Sequence, residues 1–194
     1  MNSKVIGAML IIGPLLTMGI WIVYSVSTDG MSPSESMTAI LAETTKAELS
    51  SLLNMFGVMA MFTGLYFLSR TLKSENAVSN TCAEIGGLFL LLLVPIWVVL
   101  MGSNISAISA AEEFGNDVGA SILAASKMLQ VGGILLVIGI LLLGIALTLL
   151  RKYKGIIGML FVITSGFAFI DMLFEPSTEI IAMIGWMGMF VTTL

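Results

Sequence analysis

The residues best suited to chemistry in this 194-residue chain are acidic side chains that border long apolar segments. Asp171 lies deepest in such a segment, and an ionisable group inside a membrane is costly enough to be a functional candidate. Carboxylate clusters suit hard cations such as Ca²⁺, which prefer oxygen ligands. The candidate acidic site consists of Asp171, Glu175, Glu179, Glu112, Glu113 and Asp117.

The sequence favours a purely structural interpretation of Asp171. The residue lies about 24 Å along a helix from Gly155, which places it near a membrane interface, where backbone groups or water can bond its carboxylate. The Asp and Asn spacing of the chain does not imitate a calcium loop. No metal ligand set is therefore predicted.

Three polar residues fall within the apolar segments themselves: Asn54, Gln130 and Thr164. Such side chains usually form hydrogen bonds between membrane helices. They could instead line a path for a transported solute, and the sequence leaves both interpretations open.

The sequence lacks residues that several kinds of catalysis require. The chain has no histidine, which is the side chain best suited to proton transfer near neutral pH. It has a single cysteine, Cys82, so a disulfide within the chain is impossible. It also has no phosphate-binding loop and no dinucleotide fingerprint. We therefore predict no catalytic residues and no cofactor, although a bound lipid would suit the composition.

The composition places nearly the whole chain in a membrane. Hydrophobic residues make up 58% and charged residues 10% of the sequence, whereas soluble domains carry about 25% charged residues. We predict an all-α polytopic helix bundle that forms one integral membrane domain over residues 1–194. The expected spans are residues 5–26, 50–69, 85–103, 128–150, 155–174 and 179–194, the last being only about 24 Å long.

The spans are expected to form hairpins, with helical extensions between spans 1 and 2 and between spans 3 and 4. Ser32-Pro33-Ser34-Glu35 has the capping-box pattern that starts a helix. Ser109-Ala-Ala-Glu112 has the same form and precedes a turn at Gly115. From Val118 a helix could run unbroken into span 4. The two similar hairpins could be an internal repeat, or a chance likeness.

Charge distribution predicts the orientation of the chain, because Lys and Arg near spans stay on the cytoplasmic side. Six spans with both termini in the cytoplasm put Lys4, Arg70, Lys73, Arg151, Lys152 and Lys154 inside. Only Lys46 and Lys127 then lie outside, together with the candidate acidic site. We therefore expect a multi-pass protein of the cytoplasmic membrane, with the lipid bilayer and other membrane subunits as partners and no nucleic acid.

The segment Lys4-Val-Ile-Gly-Ala-Met-Leu-Ile-Ile-Gly-Pro14 resembles the start of a group of uncharacterised six-span membrane proteins from bacteria and archaea. That group has no assigned reaction, so the resemblance implies a six-span layout and transfers no functional residue. In its small size, its many methionines and its acidic loops, the chain is also similar to accessory subunits of archaeal membrane oxidases and ammonia monooxygenase.

Two functions are consistent with these features. The first is a non-catalytic structural or accessory subunit of a larger membrane complex, such as a membrane oxidoreductase. The second is a small transporter or channel for a cation or neutral solute, with the outer carboxylates forming an acidic vestibule. Transport predicts a continuous polar path past Asn54, Gln130 and Thr164, whereas an accessory subunit needs none. An enzyme would require a metal at the acidic site.

Overall fold

A computed structural model describes residues 2–28, 30–151, 155–173 and 179–193 of the chain. These residues form helices and their connections, with no strand among them, which confirms the predicted all-α class. The elements are α1 (Ser3–Val23), α2 (Pro33–Ala42), α3 (Thr44–Thr71), α4 (Ala77–Phe114), α5 (Asn116–Ser126), a 3-10 segment (Lys127–Gly132), α6 (Gly133–Leu149), α7 (Ile156–Leu173) and α8 (Glu179–Thr193).

Five helical segments are long and apolar enough to cross a membrane. They are α1, α3, α4, α7 and the segment from α5 through α6, which matches the first five predicted spans. The sixth predicted span is the shorter apolar helix α8. The chain is therefore a helical membrane protein, and α8 is as short for a full crossing as its sequence predicts.

Six helices form a closed ring in chain order: α1, α3, α4, α6, α7 and α8. Each packs against the next, and the ring closes between α8 and α1, where the contact is slightest. Glycines allow several of these helices to approach closely. A Cβ added to Gly144 of α6, for example, would lie 2.9 Å from the carbonyl oxygen of Gly158 in α7.

One half of the ring is filled by apolar side chains. This half adjoins the basic end, which we define by Arg70, Lys73 and Arg151. Side chains from α3, α4, α6, α7 and α8 meet there, and the largest fully buried ones include Phe62 and Phe161. The centre of the ring is thus closed by hydrocarbon at its basic end.

The opposite end carries the cap, which we define as α2, α5 and the adjoining ends of α3 and α4. Its own apolar cluster is built around Met37 and Ile108, both fully buried. Asn116 at the start of α5 donates hydrogen bonds from Nδ2 to Ser34 Oγ (3.2 Å) and to Thr38 Oγ1 (3.4 Å). These contacts join the two extensions into one body.

The predicted capping box at Ser32 is confirmed. The Ser32 backbone N–H donates to Glu35 Oε2 at 2.8 Å, and the Glu35 backbone N–H donates to Ser32 Oγ at 3.4 Å. The Ser32 hydroxyl also donates to the carboxylate at 2.7 Å. This hydroxyl bond, and then the backbone bond, lower the pKa of Glu35 from its ordinary value.

One other local prediction is wrong. Ser109 does not start a helix, since α4 runs through it without a break and its hydroxyl donates to the Ile105 carbonyl (3.3 Å). Buried neighbours on both sides, such as Ile108, hold this turn of α4 in the cap and override the capping pattern. From Val118 a helical segment does continue into span 4, with the 3-10 turns of Lys127–Gly132 between α5 and α6.

Candidate functional site

A cavity of about 620 Å³ lies inside the ring, in the half nearest the cap. Helices α1, α3, α4, α7 and α8 all contribute side chains to it. Phe190 of α8 lines the cavity and also packs against the apolar core. The core therefore closes the cavity on the side that faces the basic end.

All three tryptophans of the chain line this cavity: Trp21 from α1, Trp97 from α4 and Trp186 from α8. Four methionines add to the wall, namely Met18, Met101, Met172 and Met187. Concave sites lined mainly by aromatic and apolar groups, with a few polar atoms, are typical of small-molecule sites. Thioether side chains also adapt readily to an irregular ligand.

Among the described residues, Asp171 is the acidic side chain that lines this cavity. Its Oδ2 accepts a hydrogen bond from Trp186 Nε1 at 2.8 Å, which joins α7 to α8. The side chain is half-buried. The bond fixes the orientation of the Trp186 ring in the cavity wall, so the carboxylate has a structural role here whether or not it also meets a ligand.

Two further polar atoms at the cavity have no hydrogen-bond partner among the described residues. They are Asn54 Oδ1, on α3, and Trp97 Nε1, on α4, and both atoms are buried. A buried polar atom without a partner costs about 1–3 kcal/mol. One is an acceptor and the other a donor, so a group that can both donate and accept is chemically suited to either atom.

The other polar residues predicted within spans have different surroundings. Thr164 is buried, and its hydroxyl donates to the Leu160 carbonyl of its own helix at 2.8 Å. Its methyl group lies where α7 meets α8 at Gly188. The side chain of Gln130 falls outside the described part of the structure. Asn54 thus belongs to the cavity, whereas Thr164 belongs to a helix contact.

The residues of the candidate acidic site are spread between the cavity and the cap. Glu112 and Glu113 are exposed at the end of α4, and Asp117 is exposed in the first turn of α5. Glu175 and the side chain of Glu179 lie outside the described residues. Within the described ranges, no three His, Cys, Asp or Glu side chains gather where they could hold a metal ion. The shared acidic site therefore stays a prediction.

A smaller, more polar pocket of about 300 Å³ lies between the ring and the cap. Hydroxyl and amide groups line it, including Ser50 and Asn104, together with Lys127. Leu100 and Met101 line both this pocket and the cavity, so the two spaces share a wall.

Comparison with known proteins finds no match: neither a family model, nor a curated protein, nor a solved structure resembles this chain closely enough. The resemblance of the first span to uncharacterised six-span proteins accordingly stays a prediction, and the site has to be interpreted from its own geometry.

Sequence reasoning identified Asp171 and Asn54 but missed the cavity that joins them. The missed residues are mainly the three tryptophans, which lie far apart in the chain. One available signal was their placement, since Trp21, Trp97 and Trp186 each fall within a predicted span. A tryptophan usually finds a partner for its N–H when it is buried, so three of them inside a membrane bundle indicate a polar feature nearby.

Proposed function

We propose that this protein is a non-catalytic accessory subunit of a larger integral membrane complex. The observation that carries the proposal concerns Gly7, Gly19, Gly102 and Gly166 in the spans. A Cβ added at any of the four would meet nothing within 4 Å, whereas the remaining glycines inside the described ring helices each lie against another helix. Glycine in a membrane helix permits close approach of a second helix, so these four positions suit helices of another subunit.

The chemistry of the chain supports the same proposal. A sequence without histidine, with one cysteine and without a recognisable catalytic motif offers little for a reaction of its own. Large apolar side chains such as Ile11, Leu15 and Ile22 cover the outside of α1 and can pack against lipid or against a partner. Membrane oxidoreductases, ammonia monooxygenase among them, are the first complexes to test.

The test is extraction from native membranes in mild detergent, followed by native gel separation and mass spectrometry of the proteins that migrate together. We expect reproducible migration with other subunits in fixed stoichiometry. The variants Gly19→Leu and Gly166→Leu should reduce this association while leaving the fold intact, because a Cβ at either position meets no atom of the chain within 4 Å. Migration of the wild type as a lone monomer in every detergent would contradict the proposal.

A small-solute transporter is the second candidate, and the cavity is the observation that favours it. The cavity brings Asn54 and Asp171 to one half of the ring, as a binding site in a transporter would. Passage would require the apolar core at the basic end to open. Flux into sealed vesicles, lost in Asp171→Asn, would support transport, whereas no flux of any cation or neutral solute would count against it.

A further inference from the structure

We infer that the cavity binds a neutral, largely apolar molecule that carries one hydroxyl group, that is, a lipid alcohol. This inference is independent of the accessory-subunit proposal, because it rests on the inside of the ring and not on its outer faces. Three features of the cavity would recognise such a ligand: its wall, two unpaired polar atoms and one carboxylate.

The wall selects an apolar body. Tryptophan and methionine side chains surround a space of about 620 Å³, which falls within the range of small-molecule sites. The ring around this space is embedded in hydrocarbon, so lipid-soluble molecules are its natural supply. The apolar core below stops the ligand from passing through.

The two unpaired atoms select a hydroxyl group. Asn54 Oδ1 needs a donor, and Trp97 Nε1–H needs an acceptor, and neither finds one among the described residues. A hydroxyl group supplies one donor and two acceptor lone pairs. An alcohol oxygen can pair with either atom, as donor to Asn54 Oδ1 or as acceptor from Trp97 Nε1–H, whereas a hydrocarbon would leave both unpaired.

Asp171 selects against an anion. Its carboxylate lies at the same cavity, where a low-dielectric wall strengthens repulsion between like charges. A fatty acid would bring a second carboxylate into this space. A neutral alcohol avoids that repulsion, which is why the inference names an alcohol and not an acid.

The test uses the tryptophans themselves as reporters, since all three line the cavity. The full-length protein in lipid nanodiscs is titrated with farnesol, with a farnesene hydrocarbon and with farnesoic acid, and intrinsic fluorescence is recorded. We expect a saturable change with farnesol, and binding about tenfold weaker for the hydrocarbon, which cannot form a hydrogen bond with either atom. The acid at neutral pH should bind more weakly than the alcohol.

Two variants test the assignment of the polar atoms. Asn54→Leu and Trp97→Phe should each lower farnesol affinity towards that of the hydrocarbon, and either suffices if the other fails to fold. Asn104→Leu removes an amide from α4 that lines the other pocket, so it should bind farnesol like the wild type. Equal binding of alcohol and hydrocarbon, tighter binding of the acid, or no saturable signal would overturn the inference.

Discussion

At the scale of single residues, the most informative bond is the one between Trp186 and Asp171. It joins α8, the shortest ring helix, to α7 through a donor and an ionisable acceptor at 2.8 Å. Hydrogen bonds to charged groups are worth about 1.5–3 kcal/mol in favourable cases. The bond is well placed to hold α8 in register beside α7.

A double-mutant cycle measures this bond. Trp186→Phe removes the donor, Asp171→Asn removes the charge, and the double variant removes both. We expect each single variant to be destabilised by about 1–3 kcal/mol and the double variant by less than their sum, because they share one interaction. Thermal unfolding of the purified protein in detergent gives the comparison. Strict additivity would show that the two side chains act independently.

Glu35 makes the start of α2 sensitive to pH. Its pKa is lowered in the folded protein by the Ser32 hydroxyl and then by the Ser32 backbone N–H. The stability that these bonds contribute is therefore present above the unfolded pKa and is lost as pH falls through the folded pKa. The protection factors of the first turn of α2, which compare each exchange rate with the intrinsic rate at the same pH, should fall over that acidic range.

Ser32→Ala is the matched variant for this effect. It removes the larger cause of the shift and leaves the backbone N–H in place. We expect faster exchange at neutral pH, and an acid transition that lies at higher pH, nearer the ordinary value of glutamate. An unchanged transition would mean that the hydroxyl does not control the carboxylate.

At the scale of helices, glycines separate contacts inside the chain from faces that remain open. In Gly144→Ala the new Cβ would lie 2.8 Å from the Phe161 Cβ and 2.9 Å from the Gly158 carbonyl oxygen. Real Cβ atoms are not found so close to backbone, so α6 and α7 must separate. Overpacking of this kind typically costs about 1–3 kcal/mol.

Gly166→Ala provides the matched control, because its Cβ would meet no atom within 4 Å. This variant should keep or slightly raise stability, since alanine is the better helix former by roughly 0.5–1 kcal/mol. Thermal unfolding in detergent separates the two. Equal melting temperatures for Gly144→Ala and Gly166→Ala would contradict the close packing of α6 on α7.

At the scale of the whole molecule, the separation of the cap and the basic end predicts the orientation in the membrane. In a Cys82→Ser background, Glu113→Cys in the cap and Lys73→Cys at the basic end are both exposed positions. A membrane-impermeant maleimide added to intact cells should label the first and reach the second only after permeabilisation, because basic ends stay in the cytoplasm. The reverse pattern would invert the predicted topology.

Long apolar segments predicted the spans well, because hydrocarbon must cover about 20 residues of each crossing helix. Sequence patterns for helix capping predicted the helix starts less well. Ser32 starts α2 as expected, whereas Ser109 lies within α4, since burial of Ile108 in the cap outweighs a capping pattern. The cavity could not be predicted, because the order of helices around the ring decides that Trp21, Trp97 and Trp186 meet.

Helix α4 is a single rod of 38 residues, about 57 Å long, that runs from the basic end into the cap. A bilayer core of about 30 Å can enclose only part of it. The helix can adapt to a thicker or thinner bilayer by changing its tilt, which costs little free energy. The rod is a lever: a few degrees of tilt at the membrane would swing the cap sideways by several ångströms. A change in lipid composition could thereby shift the cap relative to any protein that contacts it, without a ligand being bound.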